Sequence, residues 1–149
     1  MPMTGLVPTL MVEDVLRSVA FYHEVLGFAF VRGLAEGTRT EVVGAPSGPL
    51  AWAQVANGEA RLAFATRSCL STAAPRLVNM KLGGALVLDL ECDDLTAVCE
   101  RIGERAPFLR AMHLTATGRR QCSIADPDGY ILTCSERVQP GTPHAETTK

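Results

Sequence analysis

Asp89 and Glu91 stand two apart in the apolar run "ALVLDLEC". Alternation along a strand puts both carboxylates on one face, with Leu86, Leu88, Leu90 and Cys92 packed on the other under a helix. Two acids so placed can face water or pair with a base, attract an organic cation in a partly dry groove, or work as general acid and base, and the readings rank in that order. Arg120, in the last strand pair of the chain, is the base expected to pair with either of them. The remaining reactive side chains are scattered. His23 follows "FY" on a helical stretch, His113 ends a predicted strand and His144 falls in the polar tail, so none has a readable orienting partner for base catalysis. The five cysteines, Cys69, Cys92, Cys99, Cys122 and Cys134, contain no Cys-x-x-Cys pair, and their odd number argues against a disulfide framework. Each reads as a small buried apolar side chain.

Period divides the chain into elements that would position these groups. "LVPTLMV" predicts a strand, and "EDVLRSVAFYHEVLGF" places Val15, Val19, Tyr22 and Leu26 at helical spacing behind an acidic start and before Gly27. "FAFVRGL" resumes a strand, and "LAWAQVANGEARLAFA" predicts a hairpin with Asn57-Gly58 as a two-residue type I′ turn. The same grammar follows: strand "ALVLDLEC", helix "DDLTAVCERIGE", strand "PFLRAMHL" and a hairpin around "DPDG". Asp14 and Asp94, eighty positions apart, open equivalent helices. The chain therefore reads as one α+β domain over residues 1–137, made of two βαβββ modules (about 5–66 and 84–137) joined by a linker at 67–83, with a flexible tail at 138–149. Neither module alone buries both its helix and its sheet, so the two are expected to build a curved mixed sheet, helices on the convex face and a cleft on the concave one.

Composition narrows the function classes. At 149 residues, 47 % hydrophobic and 20 % charged, with a formal charge of −2 and no dense basic run, the chain offers no nucleic-acid footprint. No stretch reaches the roughly 18 apolar residues of a membrane helix, and the start lacks a basic segment followed by an apolar one. A cytoplasmic location is expected.

"PTLMVEDVLRSVAFYHEVLGF" and "GRRQCSIADPDGYILTCSE" together resemble the opening and closing segments of the vicinal oxygen chelate superfamily, which includes glyoxalase I, bleomycin-resistance proteins and extradiol dioxygenases. The resemblance implies a homodimer with paired clefts. It also implies a metal site with ligands seven residues before each helix-opening Asp and four after each hairpin Gly. Those positions here are Val7, Val87, Leu62 and Thr133, three aliphatic side chains and one hydroxyl, which cannot replace imidazole or carboxylate donors. No metal and no other cofactor is expected, and no catalytic residue is assigned.

If those four positions point inward, alternation adds Thr9, Met11, Phe64, Asp89 and Glu91 to the face of Thr133, and pairing about the last turn adds Arg120 while setting Cys122 opposite Thr133. The expected ligand-binding residues are thus Thr9, Met11, Phe64, Asp89, Glu91, Arg120 and Thr133. Trp52, placed opposite Ala63, falls outside the cleft unless the register slips by one and turns it inward as a stacking platform. The favoured function is metal-free binding and sequestration of a drug-like or natural-product molecule, cationic and aromatic. The alternatives are a metal-dependent lyase or dioxygenase with displaced ligands, involving Asp89 and Glu91, and a non-catalytic regulatory or interaction module.

Overall fold

The computed structural model describes residues 1–137; the predicted tail and His144 lie outside the described residues. The chain forms two compact units that divide after Gly84. Their α+β class and βαβββ order agree with the sequence reading, and each unit has its own mixed sheet. Among the described residues no helix is long and apolar enough to cross a membrane.

In the first unit, β1 (Thr9–Met11) leads to α1 (Val15–Leu26), then β2 (Ala29–Ala35), a two-residue β3 (Glu41–Val42), β4 (Leu50–Asn57) and β5 (Ala60–Ala65). The sheet order is β1-β5-β4-β2-β3, parallel only between β1 and β5. Asp14 caps α1 by accepting from Arg17 N at 3.1 Å. Gly27 ends it in the left-handed region, φ 74°, and donates to His23 O while Phe28 N donates to Tyr22 O. The predicted stripe of Val15, Val19, Tyr22 and Leu26 is buried. Tyr22 is fully buried, its ring centroid 4.8 Å from that of Phe64 on β5 and 5.8 Å from that of Phe28. That aromatic contact fixes which side of the sheet lies under the helix. Leu10 pairs with Phe64 and shares its side, whereas Thr9 and Met11 pair with Ala63 and Ala65 on the averted side.

The β4–β5 turn differs from expectation. Asn57 pairs with Ala60, so the two turn residues are Gly58 and Glu59, and only Gly58 has positive φ (59°), which excludes type I′. Trp52 accordingly faces Ala65 rather than Ala63. The connection after β5 is ordered as α2 (Arg67–Ala73) and a 3-10 turn at Pro75–Leu77. Thr66 caps α2, and Arg67 Nη1 donates to the carbonyls of Val78 (2.8 Å) and Met80 (2.6 Å).

In the second unit, β6 (Val87–Cys92), α3 (Leu95–Ile102), β7 (Phe108–Leu114), β8 (Arg120–Ala125) and β9 (Ile131–Glu136) give the order β6-β9-β8-β7, with β6 parallel to β9. Asp94 caps α3 through Ala97 N, as Asp14 caps α1. Between β8 and β9 the loop is one residue longer than a four-residue turn. Asp126 N donates to Tyr130 O, and Asp126 Oδ1 accepts from Asp128 N and Tyr130 N. Cys122 therefore stands opposite Cys134, not Thr133, and Ile124 opposite Leu132.

This register moves Arg120 to the helix side. Its guanidinium forks onto Glu136, Nε to Oε2 at 2.9 Å and Nη2 to Oε1 at 2.7 Å, and Glu136 also accepts from Leu95 N at the start of α3. These donors hold the Glu136 carboxyl below its ordinary value of 4.5, the Arg120 hydrogen bonds being the largest cause. The pair is partly solvated, with side-chain exposures of 41 % and 27 %, so its contribution is about 0.5–1 kcal/mol.

Two measurements check this architecture. Phe64→Ala should cost about 3–5 kcal/mol in urea unfolding, the cost of emptying a core position; a loss below about 1 kcal/mol would place Phe64 on an open face instead. Because the Glu136 value is depressed, its contribution is complete above its ordinary value and vanishes as pH falls through the lowered one. Glu136→Gln should thus flatten part of the stability loss below that ordinary value, and an unchanged acid limb would refute the pairing.

Candidate functional site

In the second unit, the sheet face averted from α3 carries the chemistry. Cross-strand register aligns its side chains in rows: Asp89, Thr133, Ser123 and Arg110 in one, Glu91, Ser135, Gln121 and His113 in the next. Each row takes one residue from each of four strands, because alternation sends every second residue to this face. Leu88, Leu90, Cys122, Ile124, Leu132 and Cys134 occupy the helix side, which is why that side is apolar.

Hydrogen bonds join the two rows. Ser135 Oγ donates to Asp89 Oδ1 at 2.7 Å, and Arg119 Nη2 donates to Glu91 Oε2 at 2.8 Å and to Ser135 Oγ at 3.2 Å. Arg119 Nε also donates to Glu136 O at 3.3 Å. Ser135 is 1 % exposed and sits between the two carboxylates as donor to one and acceptor from the Arg119 cation. The network carries two negative charges and one positive, leaving one carboxylate charge without a formal counter-charge within it.

Of the residues expected at the site, Asp89, Glu91 and Thr133 share this face. Arg120 does not, and Arg119 takes its place as the base that meets Glu91. Its neighbour Ser135, along with Gln121 and Ser123, completes the polar set. In the first unit Thr9 and Met11 occupy the face averted from α1, but Phe64 does not share it, being fully buried against Tyr22. Trp52 and Gln54 pair with Ala65 and Ala63, so Trp52 belongs to the face of Thr9 and Met11. The guanidinium of Arg32 lies over its ring, 5.4 Å from the centroid, and Arg32 reaches Glu41 at 3.9 Å.

The register also corrects one expected metal-ligand position. Thr9 and Asp89 are equivalent in the two modules, and they pair with Ala63 and Thr133, so the equivalent of Thr133 is Ala63 rather than Leu62. Val7, Ala63, Val87 and Thr133 offer one hydroxyl and no imidazole, carboxylate or thiolate, a set that does not fit a divalent ion. Among the described residues no group of three or more His, Cys, Asp or Glu could hold a metal ion.

The remaining polar groups have local roles. His23 Nδ1 donates to Phe28 O and His113 Nδ1 to Ala111 O, each at 2.9 Å, carbonyls being acceptors only. Nε2 of His113 is buried without a hydrogen-bond partner among the described residues. Cys99, Cys122 and Cys134 converge between α3 and the second sheet, with Cys99 Sγ donating to Cys122 Sγ at 3.6 Å, and all five thiols are free. Burial raises the thiols of Cys92 and Cys99 to about 11, so they stay protonated at neutral pH.

Comparison with known proteins agrees with this architecture. The structure resembles a protein of unknown function from Agrobacterium tumefaciens str. C58 (TM-score 0.68, 21 % identity, covering 93 % of this chain and 97 % of that one). It also resembles TioX from Micromonospora sp. ML1 (0.67, 17 %, 91 % and 100 %). A third similar structure is TnmS3, an antibiotic binding protein from Streptomyces sp. CB03234 (0.64, 23 %, 92 % and 98 %). At these identities the likeness is one of fold. No curated protein matches the chain. The sequence pattern of a single family spans residues 6–133, and with two βαβββ units behind it the chain belongs to the Glyoxalase/Bleomycin resistance protein/Dioxygenase superfamily.

Proposed function

We propose that this protein binds and sequesters a small organic molecule, drug or natural product, without a metal ion. The observation that carries the reading is the pairing of two features. The positions where the superfamily implies metal ligands hold Val7, Ala63, Val87 and Thr133, and beside Thr133 lies a hydrogen-bonded network with an excess carboxylate charge. Without donor side chains at those positions metal-assisted polarisation of a carbonyl or a water has no anchor, which favours binding over metal-dependent turnover. Asp89, with its second oxygen available to a ligand donor, is the recognition point for a cation. Glu91 is balanced by Arg119, and Ser135 hydrogen-bonds both Asp89 and Arg119. The likeness to TnmS3, an antibiotic binding protein, supports the same class of activity. In this reading the working form is a homodimer, as the family resemblance implies, acting in the cytoplasm.

The test is calorimetric titration of metal-free protein with a panel of cationic aromatic antibiotics. A saturable binder at micromolar Kd, about −8 kcal/mol, is expected. Asp89→Asn should weaken it about tenfold through loss of the charge–charge contact. The reading fails if the panel yields no saturable binder, or if binding requires a stoichiometric transition metal retained by the purified protein.

A further inference from the structure

The opposite side of the first sheet holds a cavity unrelated to the polar rows. It lies between α1 and β2, with the stretch around Gly44 and Pro46 as its rim, and measures about 510 Å³. Leu16, Val19, Ala20 and His23 follow the i, i+3, i+4, i+7 spacing that sets them on one face of α1. Val19 is buried at its floor, with Leu16 and Phe30 half-buried beside it. Cavities that bind drug-sized molecules span roughly 300–1,000 Å³ and combine an apolar lining with a few polar groups, and this one has both properties.

Among the described residues its one acidic group is a carboxylate. Glu24 presents a carboxylate at the last turn of α1, the helix end at which backbone carbonyls concentrate partial negative charge. His23 donates from Nδ1 to Phe28 O, which fixes its ring beside the cavity. A carboxylate at a helix C-terminus suits a ligand whose head is a positively charged donor. We infer that this cavity is a second binding site, for small amphipathic molecules with an aromatic or aliphatic body seated over Val19 and Phe30 and an ammonium head at Glu24. It is independent of the strand-face reading, because none of its residues belongs to that face.

The test is a nuclear magnetic resonance titration of ¹⁵N-labelled protein with 1-naphthylmethylammonium, alongside neutral 1-naphthylmethanol and anionic 1-naphthoate. Saturable shifts centred on Ala20, His23 and Ala29 are expected for the ammonium compound. Glu24→Gln should weaken it about threefold, an exposed charge being heavily screened, and leave the alcohol unchanged. Ala20→Trp and Ala29→Trp, each at an exposed position that tolerates folding, should fill the cavity from either wall and weaken binding more than about tenfold. Asp89→Asn should leave the shifts at Ala20, His23 and Ala29 unchanged and weaken only shifts along β6 and β9, which separates failure here from failure of the strand-face site. Shifts confined to β6 and β9, no saturation below about 10 mM, or naphthoate binding as tightly as the ammonium compound would each overturn the inference.

Discussion

Which side of each sheet lies under its helix decides every other feature of this protein. A strand has only two faces, and burying the larger apolar set on one commits the alternate residues to the other. In the first unit the Tyr22–Phe64 contact makes that choice, so Leu10 and Leu62 go under α1 while Thr9, Met11 and Trp52 are averted. In the second unit Leu132, Ile124 and Cys122 make it, each fully buried. The polar rows are what the helix leaves behind. Their positions follow from core packing, and their chemistry from which polar residues the sequence interleaves with the apolar ones.

The network built on those rows is electrostatically asymmetric. Arg119 is positioned by three acceptors, including a main-chain carbonyl, so it is held in place more firmly than an ordinary surface base. Holding Arg119 against Glu91 and Ser135 leaves Asp89 with a hydrogen bond from a hydroxyl and, among the described residues, no guanidinium of its own. The helix side of the same sheet uses charge differently. Arg120 and Glu136 satisfy one another and the first free amide of α3, which serves the fold and leaves neither for recognition.

Much of this was legible in the residues themselves. Helical spacing, acidic caps and Gly27 located both main helices, and the eighty-residue echo of Asp14 in Asp94 exposed the module repeat. The misreadings came from turn length. Treating "DPDG" as a four-residue turn exchanged Arg119 for Arg120 and Cys134 for Thr133 as partners. The correcting signal was present: Cys122, Ile124, Leu132 and Cys134 are the apolar members of their strands, and all four can share a face only if they pair with one another. Phe64 was misplaced because its face was inferred by counting from a hairpin glycine rather than from the stronger apolar pair Leu10 and Phe64.

The sequence by itself determined the α+β class, the repeated module, the helix boundaries and the absence of donor side chains at the implied metal positions, because periodicity, capping and residue chemistry are local properties. Only the tertiary structure decided which arginine meets which carboxylate, which face carries Trp52, and that three thiols converge beneath α3. Those outcomes depend on cross-strand register, and register follows from the competition between a few loop hydrogen bonds and the burial of distant apolar side chains. No local pattern reports that balance directly.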